Sequence, residues 1–107
     1  SEVDHVRSLI AQRGGCLELH VPSWYDGRSP QRRLQALIAE HHYDAWILHR
    51  SSAQVQQYFQ ESKTPCLLRG HPHLGVDLPH IDYDWRAIAR HAMGELWRKG
   101  HRVIGML

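Results

Sequence analysis

Short apolar runs alternate with amphipathic stretches from one end of this chain to the other, and that alternation limits the fold more than any other feature. Residues 16–21 (CLELHV), 44–49 (DAWILH) and 66–69 (CLLR) are apolar and too short for stable helices, so they read as strands. The segments between them carry apolar residues at three- and four-residue spacing: Val3, Val6, Leu9 and Ile10 in 2–13; Leu34, Leu37 and Ile38 in 30–42; Val55, Tyr58 and Phe59 in 52–62; Ile88, Ala89, Ala92, Met93, Leu96 and Trp97 in 84–99. Boundary residues agree with this reading. Gly14-Gly15 stops the first helix, Ser29 caps and Pro30 opens the second, Ser51-Ser52 starts the third, and Asp84 and Gly100 bracket the fourth. The alternation predicts an α/β fold of three layers, with a parallel sheet of 16–21, 44–49 and 66–69 and helices on both faces. Crossovers are expected to be right-handed. Antiparallel pairing of 44–49 with 66–69 would overturn this. Residues 70–79 read as irregular and 80–83 as a brief extended run.

Composition excludes several functions. A chain of 107 residues with a net charge of +2 is one domain or part of one, and its cations are scattered through Arg32-Arg33, Arg69 and Arg98-Lys99. A nucleic-acid surface clusters them; these read as solvated faces. Cys16 and Cys66 are expected to be buried free thiols of a reducing compartment, with a disulfide left to geometry. No apolar run is long enough for a membrane span, and the first residues carry no secretion signal, so the expectation is a cytoplasmic protein without a membrane partner.

The last stretch narrows the reading further. Asp84-Trp85-Arg86-Ala87-Ile88-Ala89-Arg90 is followed by Gly100-His101-Arg102-Val103-Ile104. This order resembles the lac-repressor (LacI/GalR) family of ligand-sensing transcriptional regulators, in which Asp-Asn opens the last helix of the first lobe and Gly-His-Arg-Arg-Ile leads into the second. Trp85 stands where the family has Asn. Tyr43-Asp44-Ala45-Trp46-Ile47-Leu48 and Thr64-Pro65-Cys66-Leu67-Leu68 resemble two further strands of that family. The resemblance implies a half-domain of the type I periplasmic-binding-protein kind. Residues 1–100 would be the N-terminal lobe of an effector-binding domain without its central opening strand, and 101–107 a crossover strand into a second lobe. It also implies a homodimer and a DNA-binding module outside these residues.

Ligands of open parallel sheets bind beyond the carboxyl ends of the strands. The candidates for effector contact are therefore His49, Arg50 and Ser51 after one strand, Arg69 and His71 after the next, and Asp84 and Trp85, with Tyr83 before them, at the start of the last helix. An arginine fork suits carboxylate or phosphate, Asp84 suits sugar hydroxyls, and Trp85 suits a sugar or purine face. Plainer roles stand beside these: Asp84 as an N-cap, Trp85 as core, the arginines as solvated loop ends. His71, His73, His80 and Asp77 share one irregular stretch, and His41-His42 are adjacent. Their spacing matches no zinc motif, so neither a metal nor another cofactor is expected. Strand cysteines and the lack of a nucleophile elbow or phosphate loop speak against catalysis.

The expected function is effector sensing, with a sugar or nucleobase-like molecule closing a cleft and biasing DNA binding elsewhere. A periplasmic sugar-binding protein is the alternative. A receiver-like signalling domain ranks third, because His49 and Arg69 stand where acidic residues would hold magnesium. Two further expectations follow. These residues alone bind sugars or nucleotides weakly, since a closed cleft needs both lobes. Gly100 and His101 form a hinge, leaving Val103, Ile104 and Met106 poorly buried by residues 1–99.

Overall fold

The computed structural model describes residues 2–82, 84–100 and 102–107, with the side chain of Lys99 left aside. The elements follow in the order α1 (Glu2–Gln12), β1 (Cys16–Leu19), α2 (Gln31–His41), β2 (Ala45–His49), α3 (Ala53–Ser62), β3 (Cys66–Arg69), β4 (His80–Ile81), α4 (Trp85–Lys99) and β5 (Val103–Met106). All strand pairs are parallel, in the order β1-β5-β2-β3-β4. The expected α/β architecture is thus present, and 44–49 meets 66–69 in parallel, with Trp46 opposite Cys66 and His49 opposite Arg69.

Local chemistry sets the boundaries. Ser52 caps α3 by accepting from the Val55 N–H at 3.3 Å, and Asp84 caps α4 by accepting from the Arg86 and Ala87 N–H groups at 3.1 Å each. Gly100, at φ 73°, turns the chain left-handed and closes α4, a conformation glycine adopts without the Cβ penalty. The second helix differs from expectation: Pro30 itself occupies the N-cap, with no side-chain cap, so Ser29 does not play that part.

Alternate residues of each strand feed two cores. Under α1 and α4 lie Val6, Ile10, Leu17, Ile47, Leu67, Ile88, Leu96, Ile104 and Met106. Under α2 and α3 lie Leu34, Trp46, Leu48, Val55, Phe59 and Leu68. Three expectations are corrected here. Trp97 is 56% exposed at the rim of α4, with the Arg102 guanidinium 4.9 Å from its ring centre. Cys16 is exposed and Cys66 half-buried; both are free thiols. The third concerns β5.

Ile104 and Met106 are 0% and 1% exposed, so they are core residues, and only Val103, at 36%, meets the expectation of poor burial. The strand lies inside the sheet, between edge strand β1 and the central β2, pairing Leu17 with Ile104 and Ile104 with Ala45. Without β5, the inner edges of β1 and β2 would face each other across a gap one strand wide, with buried amides and carbonyls unpaired. Residues 103–106 therefore belong to the same sheet as the preceding strands. Of the two hinge residues, Gly100 is the helix cap and His101 lies outside the described residues, as does Tyr83.

Candidate functional site

Beyond the carboxyl ends of the strands, on the side of α1 and α4, the surface opens into a cleft of about 600 Å³. Side chains at alternate positions of β2 and β3 point to one face, so His49 and Arg69, paired in register, emerge together at its floor. Arg69 is the organising residue. Its guanidinium donates to His49 Nδ1 at 2.9 Å and to Glu2 Oε2 at 3.2 Å, and it lies 4.3 Å from the centre of the Trp85 ring. Glu2 in turn accepts from Trp85 Nε1–H. Such cation–ring contacts contribute about 0.5–2 kcal/mol, the larger figure where water is excluded, and the Arg69 side chain is only 13% exposed.

This arrangement fixes a protonation state. An arginine can only donate, so His49 Nδ1 must accept and the imidazole is neutral. Burial holds the His49 pKa below its ordinary value, and the Arg69 and Arg50 charges push the same way. Tyr25 closes the cleft from the loop after β1 and donates to the His49 carbonyl at 2.9 Å. Burial raises the pKa of that phenol, which keeps it a donor.

The seven candidates divide into three groups. His49, Arg50, Arg69 and Trp85 share the cleft. Ser51 and His71 line an adjoining polar pocket of about 300 Å³, to which Arg50 and Arg69 also contribute. Asp84 lines neither; its Oδ1 is committed to the helix cap. Trp85 is 9% exposed, with Arg69 over its ring, so it positions the guanidinium more readily than it offers a face to a ligand. Arg50 adopts φ 49°, a left-handed conformation that carries the chain out of β2 and into the loop before α3.

Sequence reasoning missed Gln56. It is 2% exposed, and its amide donates to Ser51 Oγ at 3.0 Å and to the His71 carbonyl at 3.3 Å, while its carbonyl accepts from the His73 N–H at 2.7 Å. This one side chain ties the loop after β2 to the loop after β3 and so shapes the polar pocket. A polar residue beside Val55 on an apolar helix face was the available signal. His71 also pairs with Asp82 at 3.1 Å. Glu18, His20 and Tyr43 were missed as well, and His41 was set aside for want of a zinc spacing; they meet on the opposite face of the sheet, with His20 also at the rim of the cleft.

A larger groove of about 750 Å³ runs between α1 and α4 over Leu9, Ala89, Met93 and Trp97, and shares no lining residue with the cleft. It is a seam between two helices, its apolar floor edged by His5, Gln12, Arg13, Arg86 and Arg90, and it lies away from the carboxyl ends of the strands where open parallel sheets take their ligands. Burial pushes the Cys66 thiol up to about 12, which keeps it a poor nucleophile. Among the described residues no helix is long and apolar enough to cross a membrane. No family model, no curated protein and no solved structure matches the chain.

Proposed function

We propose that this chain is a small-ligand-sensing α/β domain, one lobe of an effector-binding domain of the lac-repressor type and of type I periplasmic-binding-protein architecture. The observation that carries the reading is Arg69. A guanidinium held in place by Glu2, His49 and Trp85 at the carboxyl end of a parallel strand is a donor array prepared for an oxygen-rich ligand. Arg50 stands beside it on the same cleft, and Asp26 supplies an acceptor. Donors and two carboxylates, Glu2 and Asp26, around a cleft with apolar walls suit a sugar, with a nucleobase-like molecule as the competing class. In this reading a second lobe closes over the ligand, and closure biases DNA binding by a module outside these residues. On the same reading the protein works in the cytoplasm, a reducing compartment that the two free thiols favour, and as a homodimer like the family it resembles.

Nuclear magnetic resonance titration of the chain with pentoses, hexoses, hexuronic acids and purine nucleosides tests this. We expect weak, saturable shifts at the amides of 49–51 and 69–71 and at the Trp85 indole N–H, lost in Arg50→Ala and Arg69→Met. Affinity weaker than about 1 μM is expected because one lobe covers only part of a ligand. Tight binding by these residues alone would overturn the one-lobe assignment. Shifts confined to the groove between α1 and α4 would overturn the site.

A further inference from the structure

We propose that Glu18, His20, His41 and Tyr43 form a four-coordinate site for a first-row transition cation, with zinc as the matching ion. Glu18 Oε2, His20 and His41 ring nitrogens lie within 4.8 Å of one another, the one such group of three among the described residues. Tyr43 Oη lies between them: it is 2.7 Å from His20 Nε2, 3.3 Å from His41 Nδ1, and hydrogen-bonded to Glu18 Oε2. Zinc bonds of about 2.0–2.1 Å place tetrahedral ligands roughly 3.3 Å apart. To surround an ion, the Glu18, His20 and His41 donors would close in from their present separations and the Tyr43 oxygen, which now lies among them, would swing outward to the fourth position.

The donor chemistry selects the ion. Two imidazoles with one carboxylate and one phenol suit zinc, copper or iron, whereas calcium and magnesium want more oxygens. On binding, the phenol releases its proton to solvent, and the phenolate and carboxylate together balance a divalent charge. In the metal-free protein the phenol gives its proton to Glu18 and its oxygen can accept from the imidazole N–H groups. As a metal site the two nitrogens present lone pairs.

The fold prepares this geometry from three directions. Glu18 lies on edge strand β1 and His20 directly follows the strand, two residues on, with its N–H fixed to the Met106 carbonyl at 2.8 Å. His41 ends α2, and the left-handed His42, at φ 41°, returns the chain so that Tyr43 stacks on His41 at 5.1 Å and 17°. The Tyr43 ring rests edge-on against Trp46 and directly over Gly105. Glu40 Oε2 sits 4.0 Å from His41 Nε2, near enough to attract a charged ring but beyond hydrogen-bond distance. Glu18 is exposed and both imidazoles are half-buried, so an ion can reach the site from solvent. Once bound, it would clip the sheet's edge strand to the corner between α2 and β2, stabilising the fold by binding the native state alone.

Zinc titration against a chromophoric chelator, on the whole chain, tests the proposal. Glu18→Gln, His20→Gln and His41→Gln are each expected to lower affinity at least about tenfold. His5→Gln and His73→Gln are expected to leave affinity unchanged. Should a variant fail to fold, the wild-type protein still decides: zinc must produce the near-ultraviolet phenolate difference signal of one tyrosine, absent in Tyr43→Phe. No competition with the chelator, no phenolate signal, or equal binding by the His20 and His41 variants would each overturn it.

Discussion

The two faces of the sheet are filled by opposite means at the same strand. Toward α1 and α4, β5 sends up Ile104 and Met106, which meet Leu17, Ile47 and Leu96 in a core of interlocking aliphatic side chains. Toward α2, the same strand offers Gly105, and the missing volume is supplied from above by the rings of Tyr43 and Trp46. Each solution has its polar counterpart at the surface. The aliphatic face ends in the cleft built around Arg69, a cation held by a carboxylate and a ring; the aromatic face ends in the Glu18, His20 and His41 cluster built around a phenol. The strand that the sequence suggested would leave the domain is thus the one that lays the floor under both candidate sites.

The largest effect is expected from breaking the aliphatic side. Ile104→Ala removes a fully buried side chain from the centre of the sheet, which costs about 2–5 kcal/mol with the cavity it leaves. Urea unfolding is expected to show a lower midpoint with an unchanged slope. A loss under about 1 kcal/mol would mean that β5 is not held between β1 and β2 in solution, because surface positions respond on that scale.

A smaller effect is expected on the aromatic side, of the reverse kind. At Gly105 an added Cβ would overlap the Tyr43 ring and approach Trp46 to 2.9 Å. Gly105→Ala therefore overpacks where Ile104→Ala underpacks, at a cost of about 1–3 kcal/mol. It is also expected to displace Tyr43 from Glu18 and His20 while leaving the His49–Arg69 contact intact, which histidine side-chain resonances would report. Movement of both sites together would show that the faces are coupled through β5.

This contrast also marks where the sequence stops being readable. Helices and strands were legible because their signals are local: Ser52, Asp84 and Gly100 each act within one turn of where they stand, and apolar periodicity needs only a dozen residues. His49 and Arg69 were legible because strand ends in a parallel sheet converge by rule. The place of β5 was not, since nothing within 103–106 says which strands flank it; the answer lies in the open edges of β1 and β2, far away in the chain. Glu18, His20 and His41 were hidden for the same reason, as their meeting depends on α2 returning to the edge strand. Trp97 obeys the helical period yet lines the open groove between α1 and α4 and stays 56% exposed, so periodicity alone placed it wrongly.

The smallest effect, and the sharpest comparison, is in pH. Each face carries one histidine whose pKa burial depresses: His49 by the cleft, where Arg69 and Arg50 add to the effect and Glu2 opposes it, and His20 in the cluster, where His41 adds and Glu18 and Glu40 oppose. A depressed folded pKa means that the unfolded chain binds the extra proton first. Stability from each is therefore complete above the ordinary histidine value of about 6.5 and falls as pH drops from there through the lowered folded value. The consequences differ. Protonating His49 destroys its acceptor and sets it against the guanidinium that it holds, so the cleft loosens; protonating His20 leaves it able to donate to Tyr43. In metal-free buffer, His49→Gln keeps an acceptor without a titrating group and is expected to flatten the decline in melting temperature below pH 6.5 and to keep Arg69 in place. His20→Gln is expected to flatten it less, because two carboxylates face that imidazole against one at His49. Equal flattening by the two variants would show that the guanidinium contributes nothing to the response, and that burial alone sets it on both faces.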